Sequence, residues 1–370
     1  MSPPSYPCVG PLTDEAIAQE CYLASATTCV LRHSKTHFIE HLLSPVALYA
    51  VCDMLFSGYP CFFKGSSYCT LLVLCAIAFL YYLWTDLSLQ HTNAQVAHSQ
   101  HYNGIPRIIW YKLGPNGLNA DTATWTDSCI RSNPTYEARF MTDEEGDEFA
   151  RKAFASRPDI LESYLGLTVP ILKADLLRYM LLLDQGGIWS DLDISCEGIP
   201  IDDWVPEQFR ADSNVVVGWE FDWGWGKPIT RQFASWTIMA KPGSTHMLQV
   251  IEDILDTLQE KMRQYNVPVG NITLEMTGDV VDFSGPRRLT RGIFKSLERT
   301  LNRTVKPVEV SEILQPKLLG DVLVLPGRSF GASSNHYTPE EIAQLPPPLV
   351  THHYAGSWKN VHGGELQLAT

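Results

Sequence analysis

The stretch from Leu167 to Ser195 constrains the fold more than any other part of this chain. Pro170 is tolerated in a first helical turn, where its missing N–H has no intrahelical acceptor. A nearly unbroken apolar run then continues to Leu183, so the stretch predicts a helix buried on most of its circumference. Gly186 and Gly187 end that helix, because glycine adopts the left-handed cap conformation without steric cost.

Two pairs of charged residues accompany this stretch. A short strand predicted over 188–194 alternates, so Asp191 and Asp193 point to the same side. Adjacent carboxylates repel each other, which raises the pKa of both. A bound Mg²⁺ or Mn²⁺ would remove this repulsion, and these ions also bind substrate phosphates. Asp175 and Arg178 are three residues apart and share a helix face. The pattern favours a metal–diphosphate site, with a solvated acidic strand end as the alternative.

Other predicted elements alternate between strand and helix. Strands are expected over 105–111, 134–140, 214–222 and 235–240, and helices over 143–156 and 246–265. This alternation predicts an α/β fold with a parallel, doubly wound sheet. The sequence contains neither a GxGxxG nor a GxxxxGK[ST] loop, so phosphate binding is expected to depend on the metal.

The run KADLLRYMLLLDQGGIWSDLD at 173–193 is accompanied by five shorter segments. They are IPRIIW at 105–110, SNPTY at 132–136, ASWTIMAKPGS at 234–244, SGPRRLT at 284–290 and THHYAGSW at 351–358. Together they resemble glycosyltransferase family 32, whose sugar-binding region contains an Asp-x-Asp motif, and within it the fungal Golgi initiation-specific α-1,6-mannosyltransferases. The resemblance implies a GT-A-type, Rossmann-like catalytic domain that uses Mn²⁺ or Mg²⁺ and a nucleotide sugar, GDP-mannose.

The resemblance also implies roles for individual residues. The catalytic pair is Asp191 and Asp193, of which Asp193 binds the metal directly and Asp191 reaches the ribose or the metal through water. His352 is implied as the third metal ligand, although His353 is adjacent and alternation lets only one of them face the site. The remaining donor contacts are assigned to Asp175 and Arg178 for the sugar, and to Ser357 and Trp358 for the phosphates. The family retains anomeric configuration, so no general base is assigned.

Glu220 and Asp222 end the predicted strand at 214–222, and we interpret them as acceptor-side carboxylates. Arg287 and Arg288 are candidates for a phosphate contact, with a solvated surface pair as the equal alternative. Three tryptophans could either pack in the core or form a platform for sugar rings: Trp223, Trp225 and Trp236.

Four regions are predicted along the chain: a cytosolic tail at 1–65, a transmembrane helix at 66–84, a stem at 85–104 and a catalytic domain at 105–370. Residues 66–84 are uncharged and nearly all apolar, and a helix of this length can span a bilayer. Sequons at Asn271 and Asn302 follow that span. The resulting expectation is a single-pass type II Golgi membrane protein with a luminal, glycosylated domain, able to join a membrane complex with other glycosyltransferases.

Charge and cysteine usage limit the alternatives. A formal net charge of −13 argues against a nucleic-acid partner. Cys129 and Cys196 follow the predicted span and could form a bridge or remain buried thiols. The acceptor is either an N-glycan mannose, inositol phosphoceramide or another glycan. The competing functions are a phosphatase with an aspartyl nucleophile and an inactive, membrane-tethered sugar-binding protein.

Overall fold

The computed structural model describes residues 104–223 and 231–365. The predicted tail and transmembrane helix, and the stem up to residue 103, lie outside these ranges, as does Trp225. None of the helices within the described ranges combines the length and the apolar composition that crossing a bilayer requires.

The described residues contain ten strands and eleven α-helices. The strands are β1 (Ile108–Lys112), β2 (Glu137–Met141), β3 (Gly187–Ser190), β4 (Ile194–Cys196), β5 (Val215–Phe221), β6 (Gln232–Phe233), β7 (Thr237–Ala240), β8 (Lys317–Leu319), β9 (Val322–Leu325) and β10 (Val350–His352). The helices are α1 (Ala120–Ser132), α2 (Asp143–Ala153), α3 (Pro158–Gly166), α4 (Pro170–Asp184), α5 (Glu207–Arg210), α6 (Thr245–Tyr265), α7 (Leu274–Thr277), α8 (Val280–Phe283), α9 (Pro286–Leu301), α10 (Gly327–Gly331) and α11 (Pro339–Ile342).

The main sheet is mixed, so the prediction of a parallel sheet was wrong. Its order is β2-β1-β3-β7-β5-β9-β8, with β6 paired to β5. β7 runs antiparallel to both of its neighbours, and β8 runs antiparallel to β9. β7 follows β5 through β6 without a crossover helix, and a parallel return would need such a connection. The other five strands of this order share one direction, so their carboxyl ends meet at one edge.

Helices and loops cover both faces of the sheet. On one face, the buried side chains of α4, α6 and α9 form a core with alternate residues of β5 such as Val215 and Val217. The opposite face packs Val216 against Trp204 and against Phe330 of α10. This alternation along β5 is that of a strand buried on both sides, which is typical of a central strand.

The predicted core helix is confirmed as α4, which ends at Asp184. Gly186 and Gly187 follow it with φ angles of +66° and +101°. A Cβ at Gly187 would lie 2.8 Å from the carbonyl oxygen of Ile108 in β1. Because this close approach lets β3 pair with β1, the glycines both end the helix and place the following strand in the sheet.

The predicted strand over 188–194 was wrong in extent. β3 stops at Ser190, a turn contains Asp191 and Asp193, and β4 begins at Ile194. β4 leaves the main sheet and pairs with β10 in a separate two-stranded sheet. A turn replaces the strand because the chain changes sheets here, and this frees the two aspartates from strand alternation.

A disulfide resolves the alternative that the sequence left open for Cys129 and Cys196. Their Cα atoms are 4.8 Å apart, and the bond joins α1 to β4. It therefore ties the strand after the aspartate turn to a helix 67 residues earlier in the chain.

Candidate active site

Asp191 faces back toward α4. Its Oδ1 accepts a hydrogen bond from Trp189 Nε1 at 2.6 Å and lies 3.2 Å from Arg178 Nη2. Its side chain is 30% exposed, whereas that of Arg178 is 5% exposed. Burial raises the pKa of the Asp191 carboxyl against the opposing charge of Arg178, and repulsion from Asp193 adds to the increase. Asp191 is thus held by Arg178 of α4 and Trp189 of β3.

Asp193 faces the C-terminal segment instead. Its Oδ2 accepts a hydrogen bond from the backbone N–H of Ala355 at 3.0 Å and lies 3.3 Å from His352 Nε2. Burial opposes ionisation of this carboxyl, but the hydrogen bond and charge of His352 outweigh burial and lower its pKa. The expectation that Asp191 and Asp193 point the same way was therefore wrong.

His352, and not His353, lies beside Asp193. The His352 ring packs between Trp236, at a centroid distance of 4.1 Å, and Tyr354, at 3.9 Å. The His353 ring points to the other side of β10, where it stacks on Trp125 at 4.2 Å. His352 is the last residue of β10 and pairs with Ile194 of β4, which places its ring beside the aspartate turn, whereas His353 follows the strand.

The chain offers a divalent cation two adjacent ligands. Within the described ranges, no group of three or more His, Cys, Asp or Glu side chains is arranged to hold a metal, so Asp191, Asp193 and His352 do not form a preassembled triad. A carboxylate oxygen and an imidazole nitrogen 3.3 Å apart suit Mn²⁺, which can complete its shell with diphosphate oxygens and water. Asp193 and His352 therefore fit the implied metal, with Asp191 set back from it.

Asp175 and Arg178 form a buried ion pair on α4. Asp175 Oδ1 lies 3.1 Å from Arg178 Nη2, and Asp175 Oδ2 accepts a hydrogen bond from Ser284 Oγ at 2.7 Å. Burial raises the pKa of Asp175 against the charge of Arg178. The guanidinium of Arg178 also has a hydrogen bond with Tyr179, and its carbon lies 5.0 Å from the centroid of the Trp189 ring. The ion pair is therefore fixed by its buried neighbours beside the aspartate turn.

Glu220 and Asp222 occupy different environments. Glu220 is 6% exposed, and its Oε2 accepts a hydrogen bond from Gln232 Nε2 at 2.7 Å. Asp222 accepts from Arg231 Nε at 2.9 Å and from the backbone N–H of Glu312 at 2.6 Å. Both Asp222 oxygens thus accept hydrogen bonds from the protein, which argues against the predicted contact of Asp222 with the acceptor. Glu220 remains the candidate for that contact.

Burial raises the pKa of Glu220 from 4.5 to about 7, against the hydrogen bond from Gln232 and the charge of His352. Because the folded state favours the protonated carboxyl, this group's contribution to stability is complete below pH 4.5 and is lost as the pH rises toward 7. We expect Glu220→Gln to gain about 3 kcal/mol of unfolding free energy relative to wild type between pH 4.5 and pH 8. Urea titrations in EDTA at both values measure this difference, and parallel pH profiles would contradict it.

Ser357 and Trp358 form a turn after Gly356, which has a φ of +65°. Ser357 is exposed, whereas Trp358 packs against the core beside α4, with Lys359 Nζ 5.8 Å from its ring centroid. The turn begins three residues after Tyr354 and is therefore close in the chain to the end of β10. Its phosphate role remains a prediction.

The two arginines of SGPRRLT are paired within the protein. Arg287 Nη1 contacts Asp279 at 2.9 Å and Asp282 at 2.6 Å, although its Nε is buried without a described partner. Arg288 donates to the carbonyl oxygen of Phe283 and to Thr257 Oγ1. Arg288 therefore stabilises the start of α9, and Arg287 keeps one donor for a ligand.

A profile of the family described as glycosyltransferase sugar-binding region containing DXD motif matches residues 120–210. That range includes the Asp175–Arg178 pair and the aspartate turn. This part of the chain is therefore similar to the sugar-binding region of the DXD glycosyltransferases. The sugar-binding region ends before His352, so the C-terminal half of the site is contributed from outside it.

Several curated relatives of this chain are named as mannosyltransferases. The initiation-specific alpha-1,6-mannosyltransferase of Schizosaccharomyces pombe is 30% identical over 268 residues, which cover 69% of this chain and 64% of the relative. Inositol phosphoceramide mannosyltransferase 3 of the same organism is 33% identical over 99 residues, or 27% of each chain. The chain thus spans slightly less than two thirds of the first relative's length.

Among solved structures, the one titled PaToxG Glycosyltransferase aligns with 62% of this chain and 92% of its own length. The sequence identity is 14% and the TM-score is 0.37. The α/β fold is defined by the strand order of the mixed sheet.

The structure adds side chains to the site that sequence reasoning did not select. Trp189 donates to Asp191, Ser284 donates to Asp175, and Tyr354 packs on His352 together with Trp236, which the sequence had already singled out. Trp189 is two residues before Asp191, so strand alternation already indicated a shared side. No pattern in the sequence pointed to Tyr354, which adopts a φ of +51°.

Proposed function

We propose that the chain is a metal-dependent retaining mannosyltransferase of GT-A type, which transfers mannose from GDP-mannose to an N-glycan mannose. The observation that carries the proposal is the contact of Asp193 with His352 in the same turn whose Asp191 meets the buried Asp175–Arg178 ion pair. In such a site, Asp193 and His352 serve a metal-bound diphosphate, and the Asp175–Arg178 pair serves the sugar hydroxyls. The mannosyltransferase relatives support the choice of sugar.

In this mechanism, Asp193 and His352 would hold a divalent cation, which would supply charge stabilisation for a departing diphosphate. Arg178 and Asp175 are assigned to the sugar hydroxyls, and Asp175 is oriented by a hydrogen bond from Ser284. Asp191, restrained by Trp189, is placed to reach the ribose or a metal-bound water. Retention without a covalent nucleophile lets the leaving phosphate accept the proton, so no side chain is assigned as base.

We further propose a luminal domain anchored in the Golgi by the apolar segment 66–84. The Cys129–Cys196 disulfide supports an oxidising compartment. Asn271 and Asn302 are both exposed, and Asn302 caps the end of α9. Each sequon is therefore accessible to the glycosylation machinery on the surface of the domain.

Glycosylation provides a direct test of this topology. We expect the chain expressed in a yeast host to migrate faster on a gel after endoglycosidase treatment, because Asn271 and Asn302 would carry glycans in the lumen. Asn271→Gln and Asn302→Gln should each remove one part of the shift, and the double variant should remove it entirely. An endoglycosidase-insensitive wild-type band would place the domain outside the lumen.

The proposed activity is tested by incubating the full-length chain, purified in detergent, with a panel of nucleotide sugars. We expect Mn²⁺-dependent release of mannose from GDP-mannose, loss of the activity in EDTA, and transfer when a mannoside acceptor is added. A bound nucleotide sugar that is never cleaved would instead indicate a sugar-binding protein. Phosphorylation of Asp191 by a phosphate ester would indicate the phosphatase.

The inositol phosphoceramide relative motivates a second acceptor for the same chemistry. Parallel transfer assays with an N-glycan mannoside and with inositol phosphoceramide separate the two. We expect the larger kcat/KM with the N-glycan mannoside, because the longer alignment is with the α-1,6-mannosyltransferase. The reverse order would reassign the acceptor without changing the donor.

A further inference from the structure

Asp193 immediately precedes β4 and His352 ends β10, and these two strands form a sheet of their own. A two-stranded sheet is only marginally stable in water unless another element packs against it. In this chain α1 packs against β4. We propose that Trp125, Ser128 and Cys129 of α1, here called the α1 brace, hold this small sheet so that it binds a divalent cation more tightly. The inference rests on the proposed function, because it takes Asp193 and His352 as the metal ligands.

One face of α1 is attached to β4 and to the residues after it. Ser128, Cys129 and Asn133 lie on this face. Ser128 Oγ accepts a hydrogen bond from the backbone N–H of Cys196 at 2.9 Å, next to the Cys129–Cys196 disulfide. One helical turn later, Asn133 Oδ1 accepts from the backbone N–H of Ile201 at 2.7 Å. The end of β4 is therefore fixed to α1 by a covalent bond and by hydrogen bonds.

Trp125 connects the same face of α1 to the C-terminal segment. It lies one helical turn before Cys129, so the two side chains are neighbours on the helix surface. The Trp125 ring stacks on the ring of His353, with a centroid distance of 4.2 Å and an angle of 7° between the ring planes. Nε2 of His353 is also hydrogen-bonded to Ser195 Oγ at 2.8 Å. Residues of α1 and β4 thus hold His353 together, although it lies beyond the last residue of β10.

The restraint on His353 extends to both proposed metal ligands. The backbone N–H of His353 donates to the carbonyl oxygen of Asp193 at 2.9 Å, and the preceding peptide bond joins His353 to His352. His352 itself pairs with Ile194 in the register between β10 and β4. The distance of 3.3 Å between Asp193 Oδ2 and His352 Nε2 is therefore set by a backbone that α1 holds in place.

Such a brace acts on the affinity for the cation. Asp193 and His352 come from segments far apart in the chain, so a cation that binds both must keep the two segments together. When α1 already holds them, binding costs less conformational entropy. A cation that is bound would still stabilise the leaving diphosphate in the same way. Loss of the Trp125 stack should therefore weaken the binding of Mn²⁺ and leave kcat at saturating Mn²⁺ nearly unchanged, as expected of a positioning residue.

Titration of Mn²⁺ into the full-length chain, purified in detergent, tests the inference without turnover. The electron paramagnetic resonance signal of unbound Mn²⁺ gives the Kd, at a temperature where melting curves show every variant to be folded. Residues that orient metal ligands typically change metal affinity about 10- to 100-fold, so Trp125→Ala should raise the Kd about 10-fold. Trp125→Phe keeps a ring for stacking on His353 and should stay within about 3-fold of wild type. Cys129→Ala/Cys196→Ala should also raise the Kd, because β4 loses its covalent link to α1.

The same preparations separate positioning from a general loss of stability. In Trp125→Ala, the Mn²⁺ concentration that gives half-maximal hydrolysis of GDP-mannose should rise in parallel with the Kd, whereas kcat at saturating Mn²⁺ should stay within about 2-fold of wild type. The matched control is Arg131→Ala, because that side chain of α1 is 72% exposed, and its Kd should equal that of wild type. A lower melting temperature of Trp125→Ala with a wild-type Kd would overturn the inference, and so would a Trp125→Phe protein that binds Mn²⁺ as weakly as Trp125→Ala.

Failure of the inference is distinct from failure of the proposed function. Equal Mn²⁺ binding by wild type and by the variants of Trp125 and of the disulfide would reject the α1 brace but retain the metal ligands. Weaker Mn²⁺ binding by these variants, without any hydrolysis of GDP-mannose by wild type, would retain the α1 brace but reject the transferase. A wild-type protein that binds no Mn²⁺ would overturn both.

Discussion

Asp193→Ala is expected to lower the kcat of Mn²⁺-dependent mannosyl transfer by about 10³-fold or more. The variant removes the carboxylate that lies 3.3 Å from His352 Nε2, and with it one of the two ligands that this chain presents to the cation. Stabilisation of a leaving diphosphate by a metal ion contributes several kcal/mol, and about 1.4 kcal/mol corresponds to each tenfold in rate. Steady-state transfer at saturating GDP-mannose, with Mn²⁺ varied, measures the effect.

The fold should survive this substitution. Asp193 loses a hydrogen bond with Ala355 and its contact with His352, a change of about 1–2 kcal/mol, so the melting temperature should fall by only a few degrees. Asp256→Ala, at an exposed position on α6, is the matched control and should retain wild-type activity. If the Asp193→Ala protein kept more than a tenth of the wild-type kcat, Asp193 would not be a metal ligand.

Arg178→Ala should be the most destabilising single change in the site. It leaves Asp175, with a side chain only 3% exposed, without its positive partner, and breaking one half of a buried ion pair costs about 3–5 kcal/mol. It also removes the guanidinium assigned to the sugar hydroxyls, so the remaining folded protein should lose transfer about 10²–10³-fold. Urea unfolding and kcat/KM for GDP-mannose measure the two losses separately.

Arg178→Lys distinguishes the structural role from the functional one. Lysine keeps a positive charge beside Asp175 and should recover much of the stability, but it cannot reproduce the planar set of donors, so activity should stay low. Arg151→Ala is the control, because that arginine is 59% exposed and 3.9 Å from Asp147, where an ion pair contributes less than about 1 kcal/mol. Wild-type kcat/KM in Arg178→Lys would show that Arg178 serves the fold alone.

Patterns confined to one element were predicted correctly from the sequence. The apolar run of α4 and its glycine stop are local, because propensity and hydrophobic periodicity act within a few turns of the chain. The position of β5 was also predicted to within one residue at each end, since a run of buried valines does not fit a solvated element. These elements carry Asp175, Arg178 and Glu220, so the residues of the site were identified before their arrangement was known.

Strand directions and the ends of short strands were not predictable in this way. The mixed sheet arises because β7 returns beside β5 through β6, and nothing in the composition of β7 distinguishes a parallel strand from an antiparallel one. β3 ends at Ser190 because β4 pairs with β10, more than 150 residues later in the chain. Asp191 and Asp193 consequently face different partners, although their spacing in a continuous strand would have put them on one side.

The sequence alone identifies an acidic pair that follows a buried helix, an ion pair on that helix, and a histidine near the C-terminus. The contact that decides which histidine lies beside Asp193 joins segments far apart in the chain. The contact of Asp191 with Arg178 joins the end of β3 to the preceding helix α4. The physical reason is that residue type and periodicity act over a few residues, whereas the direction of a side chain is set by the strand or helix packed against it. In this chain, the pairing of β10 with β4 decides which histidine lies beside Asp193.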